Sequence, residues 1–385
     1  MSSTKIRMGM IGGSLDGFIG SVHRMAAALD GTIELVCGAF SSNASRSMET
    51  GKAVHLSENR IYESFEEMIA KEAQLPADIR MQFVSIVTPN HLHTQPALLA
   101  LQNGFHVLCE KPLAFSLAEA QQLGALTTTT GLLFGVTHTY TGYPMVKEAK
   151  HLVASGQLGA IRKIIVEYPQ GWLSDSIESG GQKQASWRTN PAQSGISCCV
   201  GDIGTHAEHL AEYITGLKII ELSADVSTVV SDRKLDDDAT VLLRFNNGAK
   251  GVLIVSQIAN GEENELKIRV YGEHGGTEWL QSEPNTLIVK QNDHPKQLRR
   301  AGVNHSYLSE HARLHCRVPA GHPEGYIEAM ANIYRNFAIA IQAHNDKKPA
   351  NPLFDYPSIE DGIRGMKFIE TVIDSGNNNA AWRTL

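Results

Sequence analysis

Residues Ile6 to Ile11 form an unbroken apolar run that ends in Gly12-Gly13-Ser14-Leu15-Asp16-Gly17-Phe18-Ile19-Gly20, after which Val22, Met25, Ala26 and Leu29 recur at helical spacing. This is the pattern of a buried strand, a glycine loop and a helix. It constrains the fold because glycines permit the tight turn and let backbone N–H groups approach a pyrophosphate, whose charge is favoured at a helix N-terminus. The fit to Gly-x-Gly-x-x-Gly is imperfect: counting from Gly12, Ser14 replaces the second glycine, and Gly17 or Gly20 serves as the third. Gly12, Gly13, Ser14 and Gly20 are thus candidate dinucleotide contacts.

Further apolar runs at Ile33–Phe40, Phe83–Val87, His106–Cys109 and Leu132–Val136 alternate with helical patterns. Such alternation over roughly the first 140 residues predicts a doubly wound α/β domain with its ligand at the carboxyl ends of a parallel sheet. Thr88-Pro89-Asn90-His91-Leu92-His93 and Glu110-Lys111-Pro112 both fall at strand ends of this kind. Lys111 is a candidate for chemistry there, against the plainer reading of a solvated lysine in a strand-to-helix loop.

A chain of 385 residues is too long for one core, and two domains are expected, 1–140 and 141–385. The net charge of -7 is dispersed, which argues against a nucleic-acid surface. No apolar run reaches the length of about 18 residues that a membrane span needs, and no secretory signal pattern is present, so a cytoplasmic protein is expected. The five cysteines, at 37, 109, 198, 199 and 316, lack metal-finger spacing and suit reduced thiols.

From Ile161 onward the periodicity changes. Leu266 to Tyr271 alternates apolar and polar residues, as a sheet with one covered face does. The Asn247-Gly248 pair between Val241–Phe245 and Gly251–Ser256 predicts a tight antiparallel hairpin. The second domain therefore reads as α+β, built on an open, mainly antiparallel sheet with late helices near Tyr326–Ala343 and Ile359–Ile373; the last is a candidate to pack back on the first domain. Two stretches lack periodicity: Asn292–His315, and the polar Ser174–Ser194, which carries Lys183, Trp187 and Arg188 and has the length of a lid.

In Gly201-Asp202-Ile203-Gly204-Thr205-His206, which runs into a helix, Asp202 and His206 are four apart. On an α-helix both lie on one face, with Asp202 at the capping end, so the carboxylate can orient and charge-stabilise the imidazole. The alternatives are a simple cap beside a core histidine, or a metal site with His209 and Cys199, for which no matching ligand cluster exists. No metal is assigned. His138, Tyr140 and Tyr143, with Trp172, Lys183, Trp187 and Arg188, combine aromatic faces with polar groups and suit a sugar ring; Lys183 and Arg188 also suit an acidic sugar.

Taken in order, the glycine loop, Thr-Pro-Asn-x-x-His at 88–93, Glu-Lys-Pro at 110–112 and Asp-x-Gly-x-His at 202–206 resemble the Gfo/Idh/MocA oxidoreductases, relatives of glucose-fructose oxidoreductase and inositol dehydrogenases. The resemblance spans nearly the whole chain. It implies an N-terminal Rossmann domain, a C-terminal open-faced sheet used for a homodimer or homotetramer, and NAD(P)-linked oxidation or reduction of sugars, cyclitols or similar polyols. It also implies that Lys111, Asp202 and His206 are the catalytic set and contact substrate, that Glu110 stands close to the nicotinamide, and that Thr88, Pro89, Asn90 and His93 belong to the cofactor site. A cis Lys111–Pro112 bond is expected.

The departures from that pattern are informative. The family's histidine after the third glycine is matched by His23, which makes Gly20 the third glycine and the loop about three residues longer. Asp16 or Phe18 is then expected to cover the cofactor. Where an acid would bind the adenosine ribose, the second strand ends in Phe40-Ser41-Ser42-Asn43 with Arg46 following, which leans toward NADP, although serines and Asn43 also serve NAD. Two other functions stay open: a glycoside hydrolase that oxidises its substrate transiently through bound NAD, and a non-catalytic NAD(P)-binding regulator.

Overall fold

The computed structural model describes residues 5–385 of the chain. Two compact units emerge: one runs to Thr139 and resumes over Tyr326–Ile363, and the other comprises Tyr140–Gly325 and Arg364–Leu385.

In the first unit, β1 (Ile6–Gly12), β2 (Ile33–Ala39), β3 (Phe83–Val87), β4 (His106–Cys109) and β5 (Phe134–Val136) form a parallel sheet in the order β2-β1-β3-β4-β5. Strands β3, β4 and β5 are buried at every residue, which is why they read as continuous apolar runs rather than alternating ones. The order reverses on either side of β1, so the ligand crevice of such a sheet lies beyond Gly12 and Val87.

The helix Tyr326–Asn345 belongs with this unit, whereas the sequence placed it in the second domain. The cause is its buried stripe. Met330, Ile333, Tyr334, Phe337, Ala338 and Ile341 recur every three or four residues and join Ile6, Met8, Phe83 and Leu108 in one core. Phe337 meets Phe83 edge-on, with ring centroids 5.5 Å apart, and burying one such ring contributes about 1.5–3 kcal/mol.

The second unit holds a nine-stranded sheet of β6 (Ile161–Pro169), β7 (Ile219–Ser227), β8 (Asp238–Phe245), β9 (Lys250–Ser256), β10 (Lys267–Gly272), β11 (Gly275–Leu280), β12 (Thr286–Gln291), β13 (Gln297–Arg300) and β14 (Arg383–Thr384). Its pairings are antiparallel apart from β6 with β9. The β8–β9 hairpin closes where Phe245 N–H donates to Ala249 O at 3.0 Å, with Gly248 left-handed at φ 90. That φ is the reason for a glycine there. Helices Pro144–Ala154 and Thr205–Thr215 pack on one face of the sheet. Along β6, buried Ile164 and Val166 alternate with the half-buried Lys163, Ile165 and Glu167 of the open face.

The two stretches without periodicity contain short elements. Strand β13 and the helical turn Glu310–Arg313 lie within the first, and helices Lys183–Arg188 and Pro191–Ser194 within the second. Elements of four to six residues are too short to imprint a period. All five cysteines are buried and free of disulfides.

Candidate active site

The first unit carries the glycine loop and the ends of β3 and β4. Gly12 and Gly13 have φ of 81 and 73, and a Cβ on either would come within 3 Å of the β3 end, 2.8 Å from Thr88 Cγ2 or 2.9 Å from Val87 Cγ2. Gly20 is fixed by a different constraint: a Cβ there would lie 2.4 Å from Gly13 Cα, so only glycine lets the helix Phe18–Leu29 approach the loop. That helix has no side-chain cap at Gly17, so no side chain at the cap position occupies its first-turn N–H groups. Arg24 Nη1 donates to Gly13 O at 2.6 Å and holds the loop from beneath. These features fit a dinucleotide pyrophosphate.

Around this loop, Ser14 O accepts from Gly17 N at 2.9 Å, and Phe18 is 71% exposed. At the end of β2, Ser41 Oγ accepts from Asn43 N at 3.1 Å and Ser42 is exposed. Arg46 Nη1 lies 3.0 Å from Asp16 Oδ2, so the guanidinium thought available for a phosphate already faces a carboxylate.

Thr88 Oγ1 donates to Leu92 O at 3.0 Å, Pro89 leads into the 90–92 turn, and Asn90 is buried. His93 is fully buried between two backbone carbonyls, with Nδ1 3.0 Å from Pro112 O and Nε2 2.7 Å from Thr88 O. Burial pushes its pKa down. It ties the β3-end loop to the β4-end loop, a scaffolding role rather than an open contact surface.

Glu110 is the most constrained group of this half. Its Oε1 is 2.9 Å from His23 Nε2 and accepts from Thr137 Oγ1, and its Oε2 accepts from the Lys111 N–H at 3.2 Å. His23 Nδ1 continues to Tyr334 hydroxyl at 2.7 Å, and that hydroxyl to Ser85 Oγ at 2.6 Å. Burial alone raises the Glu110 pKa, but the hydrogen bond and charge of His23, the charge of Lys111 and the Thr137 hydroxyl together bring it down to about 2. Lys111 is half-buried and precedes a cis Lys111–Pro112 bond, as expected. His138 is buried in the same unit.

The second unit carries Asp202 and His206. The sequence suggested Asp202 as a helix cap, and the structure corrects this: Val200–Gly204 is a π-helical turn leading into the helix Thr205–Thr215, and the cap positions of both make no side-chain hydrogen bond. Asp236, which sequence reasoning passed over, does that work instead. Its carboxylate accepts from Cys198 N at 2.9 Å and Val200 N at 2.8 Å. Only the Asp236-Asp237-Asp238 run leading into β8 hinted at it, and such a run reads as an ordinary turn.

Asp202 is thereby left for other partners. Gln257 Nε2 donates to its Oδ2 at 3.0 Å, and Arg188 Nε lies 3.2 Å from the same oxygen. Arg188, expected as a substrate contact, stacks on Trp187 and Trp172 with its guanidinium carbon 4.3 and 5.8 Å from their ring centroids. Lys183 stands exposed at the start of the same short helix.

His206 is 7% exposed and meets Tyr140 edge-on, ring centroids 4.8 Å apart. Tyr140 and Tyr168 hydroxyls are hydrogen-bonded, and Asn264 joins both, accepting from Tyr168 at 2.7 Å and donating to Tyr140 at 3.2 Å. Burial raises the Tyr140 pKa, so its phenol stays neutral. Tyr168 sits on β6 and both Asn264 and Gln257 on the connection between β9 and β10, and no local motif announces them. Among the described residues no group of three His, Cys, Asp or Glu side chains is placed to hold a metal, and no helix is long and apolar enough to cross a membrane.

A sequence model described as "Oxidoreductase family, NAD-binding Rossmann fold" matches residues 6–138, and one described as "GFO/IDH/MocA C-terminal domain" matches residues 146–278. The chain is 35% identical over 385 residues to the uncharacterized oxidoreductase YfiI of Bacillus subtilis, covering 99% of this chain and 97% of that one. Among solved structures, an oxidoreductase from Sinorhizobium meliloti superposes with a TM-score of 0.89 at 42% identity, covering 99% and 100% of the two chains. An inositol dehydrogenase homolog from Azotobacter vinelandii, complexed with NADH and myo-inositol, superposes with a TM-score of 0.91 at 33% identity, covering 100% of this chain and 98% of that one.

Proposed function

The chain belongs to the Gfo/Idh/MocA oxidoreductases, and on that premise we propose that it moves hydride between NAD and a hydroxyl or keto carbon of a cyclitol, sugar or related polyol. When bound, the nicotinamide supplies the hydride acceptor or donor. The protein's own task is the proton and the charge on the substrate oxygen. His206 takes the hydroxyl proton as general base, Asp202 fixes and charge-stabilises its ring, and Lys111 hydrogen-bonds the same oxygen as negative charge develops. In the reducing direction the roles reverse.

The observation that carries this reading is the setting of Asp202. An acid four residues before a buried histidine is gripped by both Gln257 and Arg188, an arrangement a merely structural cap does not need. The cyclitol class is supported by the relative that holds myo-inositol. The lean toward NADP rested on Ser41, Ser42 and Arg46; because Arg46 faces Asp16, NAD is the better reading.

For assembly, the open face of the nine-stranded sheet carries a row in which Leu242, Val252 and Ile165 lie side by side, with Leu242 47% exposed. An apolar row on a face without helices supports a homodimer or homotetramer through this sheet, checked by light scattering on the purified protein. Five unpaired cysteines support a cytoplasmic setting.

The deciding assay follows absorbance of the reduced nicotinamide with inositols, monosaccharides, anhydrosugars and sugar acids against either cofactor. Reduction with a polyol is expected. Sugar release from a glycoside without net cofactor reduction would replace this reading with the hydrolase, and cofactor binding without turnover on any member would favour the regulator.

A further inference from the structure

The strand that normally presents an acid to the adenosine ribose does not carry one here, since β2 is followed by Phe40-Ser41-Ser42-Asn43. A carboxylate reaches this position by another route. The lengthened glycine loop is laid against the helix Ala44–Ala53 that follows β2: Leu15 N donates to Thr50 Oγ1 at 3.4 Å, and Asp16 Oδ2 lies 3.0 Å from Arg46 Nη1. Arg46 is itself placed by the turn before it. Its backbone N donates to Asn43 Oδ1 at 3.1 Å, while Asn43 N donates to Ser41 Oγ at 3.1 Å. An acid and a base thus face each other beside the two serines, with 59% of the Arg46 side chain and 55% of the Asp16 side chain open to solvent.

We propose that the Asp16–Arg46 pair selects NAD over NADP at the adenosine ribose, with Asp16 supplying, from the glycine loop, the carboxylate that β2 lacks. This rests on the reading that a nicotinamide dinucleotide binds along the loop. A ribose 2′-hydroxyl is a hydrogen-bond donor that a carboxylate accepts. A 2′-phosphate is an anion: it meets the Asp16 charge and must compete with it for the Arg46 guanidinium. Exposed pairs of this kind are weak and salt-screened, so the discrimination is moderate rather than absolute. The lengthened loop acquires a purpose: it carries Asp16 out to the β2 end.

The test is equilibrium binding, by calorimetry, of NAD+ and NADP+ to the full chain and to Asp16→Asn, Asp16→Ser, Arg46→Met and the Asp16→Asn/Arg46→Met double variant. Wild type is expected to bind NAD+ more tightly. Either Asp16 variant should tighten NADP+ by roughly five- to tenfold, and adding Arg46→Met should abolish that gain. The gain should shrink in high salt. Circular-dichroism melting of the same samples reports that each variant is folded. If the variants bind NAD+ but keep the wild-type NAD+/NADP+ ratio within about twofold, the pair does not select the cofactor, and the dehydrogenase reading stands. If wild type binds neither dinucleotide, that reading and this inference fall together.

Discussion

Arg188 Nε lies 3.2 Å from Asp202 Oδ2, and its guanidinium lies over the Trp187 and Trp172 rings. A flexible cation held this way has lost most of its freedom before any substrate arrives, so its charge is committed to orienting Asp202. We propose that Arg188 is a positioning residue. Replacing it with Met should lower kcat by about tenfold or more while KM changes less than about threefold. Lysine, a point charge without the planar stacking group, should recover only part of the loss. A large rise in KM at constant kcat would instead make Arg188 a substrate contact.

The sequence carried the parallel sheet plainly because buried parallel strands and their glycine turns leave local marks, and the same holds for the Asn-Gly hairpin. It offered Lys111, Asp202 and His206 as candidates because each sits in a short ordered motif. What it could not show were partners recruited from distant segments. Gln257 reaches Asp202 across 55 residues of sequence, and Tyr334 reaches His23 across 311. The role of Asp236 was hidden differently: a carboxylate binding two backbone N–H groups looks, in sequence, like any turn acid. The placement of Tyr326–Asn345 was hidden because an apolar helical stripe states that it needs a core but not which one.

Lys111 and His206 separate under pH. Lys111→Ala and His206→Ala should each reduce turnover by roughly 10²-fold or more. If His206 carries the proton, the acid limb of the kcat/KM profile should vanish in His206→Asn and persist in Lys111→Met. The opposite pattern assigns the proton to Lys111, which would then be more than a charge stabiliser. Near-normal turnover in both alanine variants would remove the whole assignment.

Gly20 tests the loop geometry independently of chemistry. An alanine methyl there would meet Gly13 at 2.4 Å from Cα and 2.7 Å from O, and both are backbone atoms that yield only by moving the loop. Gly20→Ala should cost about 1–3 kcal/mol of stability and weaken NAD+ binding through the displaced loop. Gly31→Ala is the informative control, since its φ is 66 but nothing lies within 4 Å: it strains the backbone without crowding the loop and should leave NAD+ affinity unchanged. Equal losses of affinity in both would mean that general destabilisation, not the Gly13–Gly20 approach, is being measured.

Glu110 links the cofactor half to acid stability. Its carboxyl ordinarily titrates at 4.5 and is brought down to about 2 here: burial opposes the shift, and the His23 hydrogen bond and charge, the Lys111 charge and the Thr137 hydroxyl outweigh it. The unfolded chain therefore binds the proton first as pH falls, so the contribution of Glu110 is complete above about pH 4.5 and is lost progressively toward pH 2. Glu110→Gln keeps an acceptor for Thr137 and His23 but removes the charge. In urea titrations the wild type should be more stable than the variant near neutrality, and the difference should narrow as pH is lowered through that window. A gap that stays constant with pH would mean that the hydrogen bonds, and not the ionised carboxylate, hold the His23–Glu110–Thr137 cluster together.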